Sequence, residues 1–163
     1  MTAVAVRIAV PGDLNAIAAI YAETFDAMQP RLAVEQFLRP DGTWALIATR
    51  HVAGTEVPAG FVLARSVLDE AELLAIGVAL AHRRRGVGTV LMAALAGAAA
   101  ARGARTIYLE VAVDNAGARA LYGKIGYEIV GRRPDYYRDA GGKRVAALVL
   151  RCSTGNMSPK DQD

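Results

Sequence analysis

The chain has a single cysteine, Cys152, in 163 residues, so no disulfide can form within it. Its two histidines, His51 and His82, lie far apart in sequence. With one thiol they do not compose a structural zinc site, and no metal is expected. Long apolar runs are missing too. The apolar run 90–101 is 12 residues within an uncharged segment that Arg85 and Arg102 bound, against roughly 20 needed to cross a bilayer, which argues against a membrane anchor. The opening MTAVAVRIAV lacks the charged start and cleavage pattern of a secretory leader and alternates like a strand. A reduced, cytoplasmic location is therefore expected. A strong excess of one charge is also lacking: 19 Lys+Arg against 16 Asp+Glu leave +3, too little to select a polyanionic partner. The one basic run has no second run and no aromatic platform beside it, which disfavours nucleic acid.

What is present describes a folded chain. Apolar residues make up 53% and charged residues 21%, a globular balance, and the length suits one domain, expected over residues 1–152. Residues 153–163, largely polar, are expected to be a disordered tail. Strands are predicted at 4–10, 44–49, 59–66, 70–78, 106–111, 128–132 and 143–151. Helices are predicted from Leu14 to Phe25 with Asp13 as N-cap, at 31–38, at 86–102, and at 115–125 with Gly126 as its stop. A Gly/Pro-containing loop joins the second and third strands, and Asp139-Ala140-Gly141-Gly142 turns the chain before the last strand. Gly77, inside a strand, marks a bulge or a close backbone approach. Strand–helix–strand units between hairpin-like pairs read as one α/β domain around a mixed sheet.

The segment Arg83-Arg84-Arg85-Gly86-Val87-Gly88-Thr89 stands between a strand and a long helix. The first amides of a helix are unpaired donors, the helix dipole adds positive potential, and glycines allow close approach, a combination that suits pyrophosphate. A Walker loop would need Gly-Lys-Ser/Thr, and a dinucleotide fingerprint would need glycine at 91, where leucine stands. The alternative is a solvated arginine cluster beside an ordinary helix start. Glu110, within the apolar Ile107-Tyr108-Leu109-Glu110-Val111, is either a carboxylate at a sheet edge or paired with an arginine, or a general base tuned by burial. Tyr122, on an amphipathic helix, reads on its residue type as core or interface filler. Asn115 is a helix cap on its residue type alone.

The pattern Arg83-x-x-Gly86-x-Gly88 resembles the acetyl-CoA pyrophosphate loop of the GNAT N-acetyltransferase superfamily. Residues 69–151, with DEAELLAIGV before the loop and YLEVAVDNAGARALYGKIGYEIVGRRPDYY after the long helix, resemble the RimI-type ribosomal-protein-alanine N-acetyltransferases. The resemblance covers about half the chain. It implies a mixed sheet with a splayed strand pair, flanked by helices. It also implies acetyl-CoA as co-substrate. Ile76, Gly77 and Val78 would hold the acetyl and pantetheine parts. The turn (Arg83, Arg84, Arg85, Gly86, Val87, Gly88 and Thr89) would hold the pyrophosphate, and Asn115 the pantetheine arm. By the same resemblance Glu110 is the base and Tyr122 the acid of a direct transfer, with no covalent relay through Cys152. Tyr136 and Tyr137, in the connection before the last strand, would line the acceptor groove. The acceptor implied is the α-amine of an alanine-starting ribosomal protein. A small-molecule amine or antibiotic is the alternative acceptor, and a non-catalytic acetyl-CoA sensor the alternative function. The segment 26–31, Asp-Ala-Met-Gln-Pro-Arg, departs from the Phe-Pro-Trp-Ser type found in many such enzymes, which bears on the acceptor. Oligomeric state is left open.

Overall fold

A computed structural model describes residues 3–138 and 141–156. Its elements in chain order are β1 (Val4–Ile8), α1 (Leu14–Thr24), α2 (Pro30–Leu38), β2 (Thr43–Val52), β3 (Thr55–Val67), β4 (Glu70–Val78), α3 (Val87–Ala101), β5 (Thr106–Ala112), α4 (Ala116–Lys124), β6 (Glu128–Arg138) and β7 (Arg144–Ser153). The strands form one seven-stranded sheet in the order β1-β2-β3-β4-β5-β7-β6. Every pairing is antiparallel except β4 with β5. This is the mixed α/β sheet that the sequence predicts.

Alternation along the central strands sorts their side chains onto two faces. Trp44, Leu46, Ala48, Val62 and Ala64 pack with Leu91, Met92 and Leu95 of α3 and with Tyr122 of α4. Ala45, Ile47, Phe61, Leu63 and Ala75 pack with Ile17, Ile20 and Tyr21 of α1 and Val34 of α2. Both faces of β2 and β3 are thus covered, which explains why these strands read as continuous apolar runs.

The β2–β3 connection is much tighter than the sequence predicts. The strands run on to Val52 and Thr55, and Ala53 (φ 51°) and Gly54 (φ 81°) form a two-residue turn of the left-handed kind that suits strand twist. Pro58 is inside β3, opposite Thr49, where the register shifts; the irregularity accommodates a residue that cannot donate to a ladder. Asp13 does not cap α1 through its side chain. It accepts the Val10 N–H at 2.8 Å and pairs with Arg7 at 2.7 Å, fastening β1 to the turn that follows.

β6 reaches Arg138, so Tyr136 and Tyr137 belong to a strand and not to a connection. The predicted strand stops at 132, but in the structure the register is broken between Arg133 and Tyr137, with Asp135 at φ 56°, and the strand resumes beyond the break. Asn115 caps α4 as expected, accepting the Ala118 N–H at 3.2 Å. Gly126, at φ 105°, ends that helix while Tyr127 donates to the Tyr122 carbonyl at 3.0 Å. Of the segment placed in the tail, Ser153 ends β7 and the Thr154 hydroxyl donates to the Ala104 carbonyl at 3.1 Å. Residues 157–163, and Asp139 and Ala140 of the turn before β7, lie outside the described residues.

Candidate functional site

The parallel pairing of β4 with β5 covers only Glu70, Ala71 and Glu72 opposite Thr106, Ile107 and Tyr108. Beyond it, β4 stays with β3 and β5 stays with β7, so a cleft opens between them. Leu74 is an extra residue in β4 relative to β3, since Leu63 faces Ala75 and Ala64 faces Leu73. A bulge there adds twist just past the last β4–β5 pair. Gly77 is therefore the close approach and not the bulge: a Cβ at this position would come within 2.5 Å of Phe61 Cε1 and 2.8 Å of Thr24 Oγ1. Ala79 donates to Ala59 on the β3 side at 2.9 Å. Successive amides of a strand point to opposite edges, so Val78 and Ile76 turn theirs toward the cleft.

At the cleft mouth the chain makes a 3-10 turn at Leu80–His82, passes through Arg84 (φ 60°) and Gly86 (φ 80°), and enters α3 at Val87. The first bond of the helix, from the Val90 N–H to the Gly86 carbonyl, is 3.1 Å, and the amides of Val87, Gly88 and Thr89 precede it. A Cβ at Gly88 would meet only Leu121 Cδ2 at 3.6 Å and Val78 Cγ2 at 4.0 Å, so this glycine faces the gap between β4 and α4. Arg84 and Arg85 are exposed. Arg83, also exposed, folds back along the chain: its Nε donates to the Val78 carbonyl at 3.0 Å and its guanidinium reaches the Glu23 carbonyl at 3.5 Å. Glu23 in turn accepts the Leu80 N–H at 2.7 Å, tying the end of α1 to the turn. Its side chain is thus a strut between strand end and helix, rather than a free cation beside Gly86.

Glu110 projects from β5 on the face opposite α4's core packing, into a groove of about 340 Å³ that Arg65, Glu70, Glu72, Tyr108 and Arg133 also line. Its carboxylate is 17% exposed and pairs with Arg133 Nε at 3.1 Å. Of the readings open in the sequence, the arginine pair is present, inside a groove. The Arg133 guanidinium also sits 5.3 Å from the Tyr136 ring centre, and Tyr136 meets Tyr137 edge-on at 5.0 Å. Tyr137 is half-buried; burial and the neighbouring Glu110 charge raise its pKa. Tyr122, buried on α4 against Tyr127 at 5.9 Å, has its hydroxyl pushed up to about 12, chiefly by burial. The charge of Tyr137 adds to that shift, so the two hydroxyls are within electrostatic reach.

The fold therefore sets Glu110 and Arg133 in one groove, with Tyr137 in electrostatic reach of Glu110 and Tyr136 against Arg133, and sets Gly77, Val78 and the turn at the cleft. Two members were not anticipated. Arg133 meets Glu110 through the β5–β7–β6 stacking, and Glu23 meets the turn through the packing of α1. Neither has a local signal, because both contacts join segments distant in sequence. Among the described residues no group of three His, Cys, Asp or Glu is placed to hold a metal, and no helix is long and apolar enough to cross a membrane.

Known proteins resemble this chain in sequence and in fold. The chain is 38% identical over 93 residues to the [ribosomal protein bS18]-alanine N-acetyltransferase of Haemophilus influenzae, covering 57% of this chain and 63% of that protein. It is 36% identical over 91 residues to the Escherichia coli K12 enzyme of the same name, covering 56% of this chain and 62% of the relative. The match thus spans less than two thirds of these relatives' length. The crystal structure of the ribosomal-protein-S18-alanine N-acetyltransferase from Escherichia coli superposes with a TM-score of 0.78 at 26% identity, over 99% of each chain. The Acetyltransferase (GNAT) family profile matches residues 14–127, from α1 through the turn to the end of α4. On that match, and on the splayed β4–β5 pair with a glycine turn at its mouth, the chain belongs to the Acetyltransferase (GNAT) family.

Proposed function

We propose that this protein transfers the acetyl group of acetyl-CoA to the N-terminal α-amine of an alanine-starting ribosomal protein. The observation that carries the reading is a helix-start turn suited to a diphosphate at the end of β4, where β4 and β5 have parted, together with Glu110 in a groove over the paired end of those two strands. The free amides of Val87, Gly88 and Thr89 would take the pyrophosphate, with Arg84 and Arg85 adding charge. Ile76, Gly77 and Val78 would lie along the pantetheine, and Asn115 beside it. Acetyl-CoA supplies the activated acyl group, and everything else falls to the chain's own residues. Glu110 accepts the proton released by the attacking ammonium, directly or through water. The Val78 N–H hydrogen-bonds the carbonyl oxygen as charge develops on it. Tyr122, at about 12, keeps its proton at neutral pH. Because a thiol ordinarily titrates near 8.5, its best service is a hydrogen bond to the departing sulfur rather than complete proton loss. The new N–C bond forms as the C–S bond breaks, the proton then shed by the amide nitrogen ends on the CoA sulfur, which Tyr122 hydrogen-bonds as it departs, and there is no covalent enzyme intermediate.

The groove around Glu110 is open and carries both charge signs, which suits an extended peptide terminus with Tyr136 and Tyr137 along its rim. The alanine N-acetyltransferase activity of the relatives supports the alanine acceptor, and a cytoplasmic site of action goes with it. The test is CoA release from acetyl-CoA with two peptides, one with a free N-terminal alanine and one N-terminally blocked with an internal lysine. Turnover of the free-alanine peptide alone is expected. Turnover of the lysine peptide alone would move the acceptor to side chains. Tight acetyl-CoA binding with neither active would leave a small-molecule acceptor or a sensor.

A further inference from the structure

Oε1 of Glu110 faces the Nε of Arg133 at 3.1 Å, so the carboxylate already has a cation beside it in the groove. The two residues come from strands that do not touch, since β7 runs between β5 and β6. In the register Glu110 faces Val149 and Val149 faces Gly131, while Arg133 faces Ala147. The arginine thus reaches across β7 past an alanine and a glycine. Arg65, the other arginine lining the groove, stands opposite Glu72 on the neighbouring strand. Exposure of the pair is unequal, 57% for the Arg133 side chain and 17% for that of Glu110. Glu110 is fixed in its strand between the buried Leu109 and Val111, so the longer, more exposed arginine is the partner free to move. Arg133 also has a second resting place. Its guanidinium carbon lies 5.3 Å from the Tyr136 ring centre, within the range over which an aromatic face attracts a cation.

We propose that Arg133 is a positioning residue that exchanges with the acceptor: it holds the cation position at Glu110 in the free enzyme and yields it to the incoming α-ammonium, with the Tyr136 face as its support. This rests on Glu110 receiving the acceptor amine, as in the reading above. One cation replaces another, so the carboxylate is never left unpaired in the groove. Acetylation removes the charge from the acceptor nitrogen. The product then has no cation to offer Glu110, and the pair with Arg133 re-forms. Arg133 thereby sorts acceptor from product by charge.

Calorimetric titration of the wild type and Arg133→Gln, each with CoA present, compares the free-alanine peptide with the same peptide acetylated at its N-terminus. Arg133→Gln should bind the free-amine peptide about fivefold more tightly, because displacing a partly exposed ion pair costs a factor of that order. Its affinity for the acetylated peptide should not change. Arg133→Lys, which keeps a cation at the position, should behave as the wild type. In heteronuclear NMR spectra the Arg133 Nε–H signal, identified by its absence from Arg133→Gln, should shift with the free-amine peptide and stay in place with the acetylated one. Equal free-amine affinity in the wild type and Arg133→Gln, an unmoved signal, or a gain shared by the acetylated peptide would overturn the exchange. Weaker binding of both peptides to Arg133→Gln would overturn it too, by making Arg133 a contact for the peptide chain. Binding of neither peptide to either protein is a separate failure: it sinks the acceptor reading, and the exchange falls with it.

Discussion

Gly88→Ala separates the two demands placed on the turn, because folding and binding should respond with opposite signs. Gly88 is the second residue of α3, and its φ lies outside the left-handed region, so alanine fits the backbone. The added methyl would meet Leu121 Cδ2 at 3.6 Å and Val78 Cγ2 at 4.0 Å, ordinary contact distances. Alanine is favoured over glycine in a helix by roughly 0.5–1 kcal/mol, and less in the first turn. The free protein should therefore gain about 0.5 kcal/mol, raising Tm by about 1–2 °C for a chain of this size. The same methyl points into the gap beside the amides of Val87, Gly88 and Thr89. Disturbing one hydrogen bond to a charged phosphate costs about 1.5–3 kcal/mol, or roughly 10–100-fold in Kd. Thermal unfolding without ligand, paired with calorimetric titration of acetyl-CoA, reads both effects. An unchanged Kd beside the raised Tm would refute the turn as the phosphate holder. A Tm lowered by several degrees would show that the contact distances at Gly88 mislead.

Tyr122→Phe should lower kcat by about 10²-fold with little change in acetyl-CoA affinity. It should also remove one alkaline transition: Tyr122 is raised to about 12 in the fold, so its neutral form contributes stability that is present below pH 10 and lost as pH rises through 12. Undiminished turnover would return this tyrosine to a packing role. Glu110→Gln should cut kcat by about 10²-fold or more while leaving acetyl-CoA binding intact, read by stopped-time CoA release and titration. Gly77→Ala places a methyl 2.5 Å from Phe61 Cε1 and should destabilise by about 1–3 kcal/mol, a Tm loss of about 5 °C. Asp13 titrates below its usual value because Arg7 hydrogen-bonds it. Its contribution is therefore present above pH 4 and lost as pH falls through the depressed value, and Asp13→Asn should flatten that part of the acid-unfolding curve.

Local features were legible in the sequence because the interactions that make them span a few residues. Asn115 bonds an amide three residues on, Gly126 ends the same helix, and the turn at 84–89 owes its character to two glycines and a helix start. The resemblance supplied the splayed strand pair and the family. What the sequence left open was decided by strand register and layer packing. Arg133 reaches Glu110 only because β7 lies between their strands, and Arg83 faces Val78 and Glu23 only because α1 ends beside β4. The strands predicted at 59–66 and 128–132 leave Pro58 and Pro134 outside. Register irregularities admit both to strands, and the second carries Tyr136 and Tyr137 into the sheet. The sequence by itself determined the cap and stop of α4 and the glycine turn at 84–89, since backbone preference and near-neighbour hydrogen bonds suffice for those. The tertiary structure alone decided which charge meets which, since ion pairing between distant segments depends on how the strands align.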